Sequence, residues 1–405
     1  MNQTVRHTSR RAAAAVAAAG VAVLLASSLP PPSRVFSRPD PGDVEVYLEY
    51  ARRTFEGQVP YRDFYLEYPP GALPVLLAAA PADQGYDDRF RALMLALGAA
   101  TVVLLVVAMF LAGATTAELA AGVLILATLP LTFNAGLVVE RYDLWPAVLV
   151  LLAVVALLRE RRTLGLAALG VGAAAKLYPL ALVPLALFAR PGRAHVRRDL
   201  AIVAAAALAL VLPFALIAPY GIGHVGKLLV ERPLHVESLG ASILLAAHQF
   251  GVYEPTIYFG IGQSWDLAGP AARTVAVVSS LAEAAALVAV WFFFARGPRG
   301  PRELLLAIAA AVVGVVTFGK ILSPQFLVWV VAAVPLALGR VRPFALAATL
   351  AAIFLTKYIY NYGYYDLLES AGLATWVLLA RNLVLVALFC ALVLELAARG
   401  RGAPP

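Results

Sequence analysis

The side chains best suited to moving a proton or holding an anion are concentrated in residues 42–74. This stretch carries Asp43, Glu45, Glu49, Arg52, Arg53, Glu56, Arg62, Asp63 and Glu67 among closely spaced tyrosines and phenylalanines. A carboxylate near a membrane interface can take the proton of a sugar hydroxyl if it is held within hydrogen-bond reach. Asp40, Asp43 and Glu45 are placed for that work, and a solvated loop face is the plainer alternative. A second constellation is Tyr61-Arg62-Asp63-Phe64 with Glu67-Tyr68-Pro69-Pro70-Gly71. Its prolines fix an extended turn, and its rings suit either the faces of sugars or an aromatic belt at lipid headgroups.

The lysines form a third constellation: Lys176-Leu177-Tyr178-Pro179, Lys320 with Ser323-Pro324-Gln325, and Thr356-Lys357-Tyr358. Cations this close to lipid are costly and usually face a cavity or a partner. Several converging from different helix ends would hold a phosphate as point charges, and snorkelling to headgroups is the alternative. Residues 220–270 hold His224, His235, His248, Glu231, Glu237, Glu254 and Asp266, but no pair has zinc-ligand spacing on one helix. No Walker loop, GxGxxG or His-Glu-x-x-His occurs, so neither a metal nor a cofactor is expected. Glu140, Arg141 and Asp143 are expected to pair with one another, and Glu283, in mid-span, to face a polar cavity.

The elements that position these residues are set by composition. Of 405 residues, 62% are hydrophobic and only 14% charged, against about 25% charged in soluble domains. Mean hydropathy is +0.83, which marks an integral membrane protein. Apolar runs of roughly 17 to 25 residues match a bilayer core of about 30 Å, and lipid-exposed backbone must be helical in the absence of a barrel's alternation. The only cysteine, Cys390, rules out a disulfide framework.

A basic lead (Arg6, Arg10, Arg11) and an apolar run over 12–28 read as an uncleaved first helix. A signal peptide is the alternative, disfavoured because no small-x-small site precedes Pro30. Further spans are expected at 90–112, 117–133, 143–158, 199–219, 271–295, 303–319, 325–339, 343–359 and 374–397. In the 162–190 segment, two short helices meeting at Lys176–Pro179 are expected, because Pro179 disfavours an unbroken helix. Residues 71–81 are apolar but too short to span, and are expected to lie at the interface or dip into it. The expected fold is thus an all-α polytopic bundle of about ten full transmembrane helices plus a short-helix hairpin. It forms one membrane domain: first helix 1–29, outer loop 30–89 with interfacial helices, bundle 90–397 and tail 398–405.

Arginine dominates one set of short loops, around Arg159–Arg162, Arg190–Arg198, Arg296–Arg302, Arg340–Arg342 and Arg399–Arg401. By the positive-inside rule these loops and both termini are cytoplasmic, which puts residues 42–74 outside. The net charge of +8 is therefore topological and does not point to nucleic acid. None of the lysines falls in a cytoplasmic loop, and ornament concentrates on the outer side.

At four places the sequence resembles the polytopic glycosyltransferases of family 87, in the GT-C superfamily. They are Asp43-Val44-x-Val46-Tyr47; Pro60-Tyr61-Arg62-Asp63-Phe64-x-x-Glu67-Tyr68-Pro69-Pro70-Gly71; Lys176-x-x-Pro179; and Lys320-x-x-Ser323-Pro324-Gln325-x-x-x-Trp329. Actinobacterial members include polyprenyl-phosphate-dependent mannosyl- and arabinofuranosyltransferases, and the Arg- and Ala-rich composition suits that source. The resemblance implies inverting transfer from a polyprenyl-phosphate sugar to a glycan or glycolipid acceptor, without nucleotide donor or metal. It implies Asp43 as the base, with Asp40 and Asp63 as fallbacks, and Lys176, Lys320, Lys357 and Arg62 as cations for the departing phosphate. Tyr61, Glu67, Tyr68, Tyr178, Ser323 and Gln325 complete the expected substrate-binding set. The outer loop over 220–270 has no residue-by-residue match. A transporter or lipid-linked-sugar flippase is the rival reading, weakened by the absence of the repeated halves usual in transporters.

Overall fold

The computed structural model describes residues 8–29, 43–80, 85–190, 192, 194–260, 263–370 and 372–402. Asp40 and residues 30–42 lie outside the described residues. Among the described residues, helices dominate and sheet is minor. Among the described residues, seven helices are long and apolar enough to cross a bilayer: Arg10–Ser27, Tyr86–Leu111, Val196–Ile217, Pro270–Arg296, Pro301–Phe318, Arg342–Leu368 and Gly372–Gly400.

Two of the expected full spans are shorter than expected, and a third has its expected bounds but is short for a full span. The 117–133 segment is a helix over Thr116–Ala127 that gives way to a separate turn at Leu129–Thr132, where Pro130 lacks the N–H a continuing helix needs. The 143–158 segment is the 15-residue helix Leu144–Leu158, only about 22 Å long at 1.5 Å per residue. The 325–339 segment is helical only over Leu327–Ala333, flanked by 3-10 turns at Pro324–Phe326 and Val334–Leu336. The protein itself covers this irregular piece, with Leu327, Val328, Val330 and Val331 fully buried, and that is where broken backbone is tolerated at membrane depth.

The 162–190 segment folds back as two short arms. Arg162–Ala175 ends at Lys176, whose backbone is extended, and a 3-10 turn over Tyr178–Leu182 leads into Val183–Phe188. The hairpin returns to its own start: Arg162 donates to the Ala186 carbonyl at 3.0 Å and pairs with Asp199 at 2.5 Å.

Much of residues 71–80 packs against the rest of the protein. The turn Pro70–Ala72 and helix Leu73–Ala78 are packed inside the protein, with Leu73, Val75 and Leu76 all buried. The cause is Gly71. A Cβ there would lie 2.4 Å from the Ala174 carbonyl carbon and 2.5 Å from the Ala175 nitrogen, so only glycine lets the two backbones approach. The Trp145 indole locks the contact by donating to the Gly71 carbonyl at 3.0 Å. Gly71→Ala is expected to destabilise the protein by about 1–3 kcal/mol and to displace Glu67 and Tyr68. Thermal unfolding in detergent checks this, and an unchanged Tm would contradict the close approach.

The segments joining these helices are also structured. Residues 220–270 contain helices Pro219–Glu231 and Leu239–Gln249 and a three-stranded antiparallel sheet, β1 (Leu234–His235), β2 (Thr256–Phe259) and β3 (Trp265–Ala268), in the order β1-β3-β2. The 360–373 segment, expected as loop, continues the preceding helix through a π turn at Ile359–Gly363 into Tyr364–Leu368.

The two ends of the bundle differ. At one end arginines fasten the turns to each other. Arg302 donates to Ala112 and Gly113 carbonyls at 3.0 and 2.8 Å. Arg399 pairs with Glu303 at 3.2 Å and Glu395 at 2.9 Å, and Arg342 donates to the carbonyls of Pro335 and Glu118. The lysine-bearing helix ends, the sheet and helix Val44–Phe55 gather at the opposite end. That last helix is amphipathic. Val44, Tyr47, Tyr50 and Ala51 are buried, while Glu49 and Arg53 pair at 2.7 Å on its other face. Tyr47 anchors it through ring contacts with Phe90 (5.2 Å), Tyr68 (5.7 Å) and Tyr142 (6.1 Å).

Candidate functional site

A cavity of about 1000 Å³ lies at this end, at the upper limit of typical small-ligand sites. Asp43, Glu67, Tyr68, Lys176, Tyr178, Lys320, Ser323 and Gln325 all line it. Residues from distant parts of the sequence thus share one space.

Asp43 stands at the N-terminal boundary of helix Val44–Phe55, and its side chain does not cap the helix backbone. Its carboxylate faces inward instead. Tyr47 and Tyr68 hydroxyls donate to Oδ2 at 3.1 and 3.3 Å, and Arg141 pairs with Oδ1. A carboxylate offers about four lone-pair positions, so these three described contacts leave room for a hydroxyl donor. The Asp43 side chain is 25% exposed, which gives such a donor access. Tyr68 is itself fixed from behind, because Tyr61 donates its hydroxyl to the Tyr68 carbonyl at 2.8 Å.

The expected pairing within 140–143 does not occur. Glu140 takes Arg91 at 2.7 Å, Arg141 takes Asp43, and Asp143 takes Lys176 at 2.7 Å. The run sits where the chain enters helix Leu144–Leu158, so its successive side chains diverge to different neighbours.

The cations separate into two kinds. Lys176 is neutralised by buried Asp143 and sits among rings, 4.6 Å from the centroid of Tyr142, 5.1 Å from Trp329 and 5.2 Å from Phe326. Trp329 is sandwiched between Tyr178 and Phe326, each stacked at 4.2 Å. Arg232 pairs with Glu67 at 3.1 Å and donates to Ser264 at 2.9 Å, and Ser264 donates on to Asp266 at 3.2 Å. Burial pushes the Glu67 carboxyl up, opposed by Arg232. Asp266 is pushed up to about 6 by burial, again opposed by Arg232.

Lys320 differs. It follows helix Pro301–Phe318, donates to the Val230 carbonyl at 2.5 Å, and has no carboxylate within ion-pair distance among the described residues. Burial lowers its ammonium pKa, Glu283 opposes that, and Arg232 adds to it. Glu283 lines the same cavity, as expected for a mid-span carboxylate.

Four expected site residues are not in the cavity wall. Arg62 and Asp63 pair with each other at 2.9 Å on the surface. Asp63 also accepts the Val59 N–H at 2.7 Å, and these contacts hold its carboxyl down to about 2. Lys357 donates to the Leu131 carbonyl at 2.9 Å and so serves as a helix-end fastener. Tyr61 is buried against Phe214 at 5.2 Å and touches the site only through Tyr68. Ser323 and Gln325 line the cavity but hydrogen-bond to each other.

Behind the cavity lies an unforeseen polar knot. Glu237, a lining residue, pairs with fully buried Arg381 at 3.4 Å; Arg381 and Asn382 both donate to the Glu237 carbonyl, at 2.9 and 3.3 Å. Burial pushes Glu237 up to about 7 despite Arg381. A carboxyl whose folded pKa exceeds its unfolded value contributes stability at low pH that is lost as pH rises through the folded value. Tm is therefore expected to fall by several degrees between about pH 5 and pH 7, with Asp266 acting in the same direction, and Glu237→Gln should blunt the slope. A pH series of melting curves checks it; an unchanged slope in the variant would contradict it. Arg381 and Asn382 sit in an ordinary apolar span, and their only sequence signal is polarity at mid-helix.

A scan against protein-family models gives no match for the chain, and no curated protein matches it.

Proposed function

We propose that this protein is an inverting membrane glycosyltransferase that moves a sugar, mannose or arabinofuranose, from a polyprenyl-phosphate donor to a lipid-linked or cell-envelope glycan. The observation that carries the reading is that Asp43 and Lys320 face one cavity, the first with an open acceptor position and the second without a carboxylate partner. The resemblance of the surrounding motifs to glycosyltransferase family 87 supports it.

In this mechanism Asp43 takes the proton of an acceptor hydroxyl as its oxygen attacks the anomeric carbon from the face opposite the phosphate. The bond from the anomeric carbon to the phosphate oxygen breaks, and polyprenyl phosphate leaves carrying the electron pair. Lys320 stabilises the charge that develops on the leaving oxygen. Arg141, Tyr47 and Tyr68 hold the base. Lys176, paired with Asp143, positions the aromatic stack and is not assigned to the phosphate.

In this reading both termini are cytoplasmic and the cavity opens at the outer face of the plasma membrane, which the arginine-rich short loops support. A transporter would set its polar site near the bilayer midplane, whereas most of the polar side chains here come from helix ends and outer segments.

The test is incubation of membranes containing the protein with radiolabelled polyprenyl-phosphate sugars and separation of the products. Transfer of label to a new glycan or glycolipid is expected. Label that changes leaflet without changing its chemical form would favour a flippase and overturn the proposal.

A further inference from the structure

The cavity has a wall that the mechanism above leaves unused. At Ile359–Gly363 the helix opens into a π turn, a feature that often marks functional sites because it re-aims side chains. Here Tyr360, Asn361, Tyr364, Tyr365 and Leu368 all line the cavity, as one face of the widened helix. Tyr360 and Tyr364 meet edge to face at 6.1 Å. The side-chain amide of Asn361 lines the cavity with no hydrogen-bond partner among the described residues, and Tyr365 is 67% exposed. Rings flanking an available amide offer both a stacking surface and a two-way hydrogen-bonding group.

Charge decides what such a wall would hold. Of the Lys and Arg side chains lining the cavity, Arg141 is paired with Asp43, Lys176 with Asp143 and Arg232 with Glu67. Lys320 alone among the described lining cations makes no ion pair with a carboxylate. One such cation matches one anionic group, the donor phosphate. A second anion would find no unpaired cation among the described lining residues and would meet Glu45 and Glu283 in the same wall. The geometry points to an acceptor subsite on the π turn whose ligand is an uncharged carbohydrate, recognised by Asn361 and the tyrosine rings. The assignment of this wall to the acceptor rests on the transferase reading above.

The test uses the purified full-length protein in detergent. Short neutral oligosaccharides, the corresponding uronic-acid oligomers and polyprenyl phosphate are titrated separately, with intrinsic tryptophan fluorescence as the readout. Saturable binding of a neutral oligosaccharide is expected, weakened about tenfold by Asn361→Ala and by Tyr365→Ala, with polyprenyl-phosphate affinity unchanged in both. Both positions are partly exposed, and melting curves confirm that the variants fold. Unchanged sugar affinity in the variants, equal loss of both ligands, or uronic-acid oligomers binding as tightly as neutral ones would overturn the subsite. A wild-type protein that binds polyprenyl phosphate but no neutral sugar refutes the subsite alone. One that binds the sugar but no polyprenyl phosphate refutes the donor reading and leaves the subsite standing.

Discussion

Asp43→Asn is expected to lower the transfer rate by about 10²- to 10⁴-fold, the usual contribution of a positioned general base. The amide can still accept from the Tyr47 and Tyr68 hydroxyls, so the substitution removes basicity while keeping shape. Its cost falls on Arg141, which loses its ionic partner at a side chain only 12% exposed. Melting curves therefore accompany the assay: a rate loss with Tm nearly retained supports the assignment. Asp43→Glu keeps the charge but moves it by a methylene, and a loss smaller than that of Asp43→Asn is expected. Turnover of Asp43→Asn at the wild-type rate would remove Asp43 from the chemistry.

Lys320→Ala is expected to reduce kcat/KM for the donor by about 10²- to 10³-fold, comparable to removing a single donor that stabilises developing negative charge. The acceptor KM should stay near its wild-type value. Lys320→Arg should recover part of the loss, because the charge remains while its position and fork geometry change. The Val230 carbonyl loses its hydrogen bond from the ammonium in the alanine variant, a charge-assisted interaction worth about 1.5–3 kcal/mol, so a lower Tm with folding retained is expected. Equal damage to donor and acceptor parameters would argue for a general structural role. Lys176→Ala makes the contrast. It leaves buried Asp143 without its cation, so it should destabilise the protein by about 3–5 kcal/mol and show itself first as a lower Tm.

The amino-acid sequence alone determined the membrane class, the long helices and the arginine-rich ends, because hydropathy and charge placement are properties of each segment by itself. The same holds for the break at Lys176–Pro179, where proline acts on its own chain. Tertiary structure decided the rest. Sequence spacing could not distinguish Lys320, facing the cavity, from Lys357, bound to the Leu131 carbonyl, since both sit at similar helix ends. It could not assign Arg141 to Asp43 or Arg381 to Glu237, because an ion-pair partner is selected by three-dimensional proximity across a hundred residues or so. Nor did apolarity reveal that Leu73, Val75 and Leu76 are buried in the protein, which follows from one glycine letting two backbones touch. Local chemistry is written residue by residue; which charges remain unpaired depends on how the helices meet.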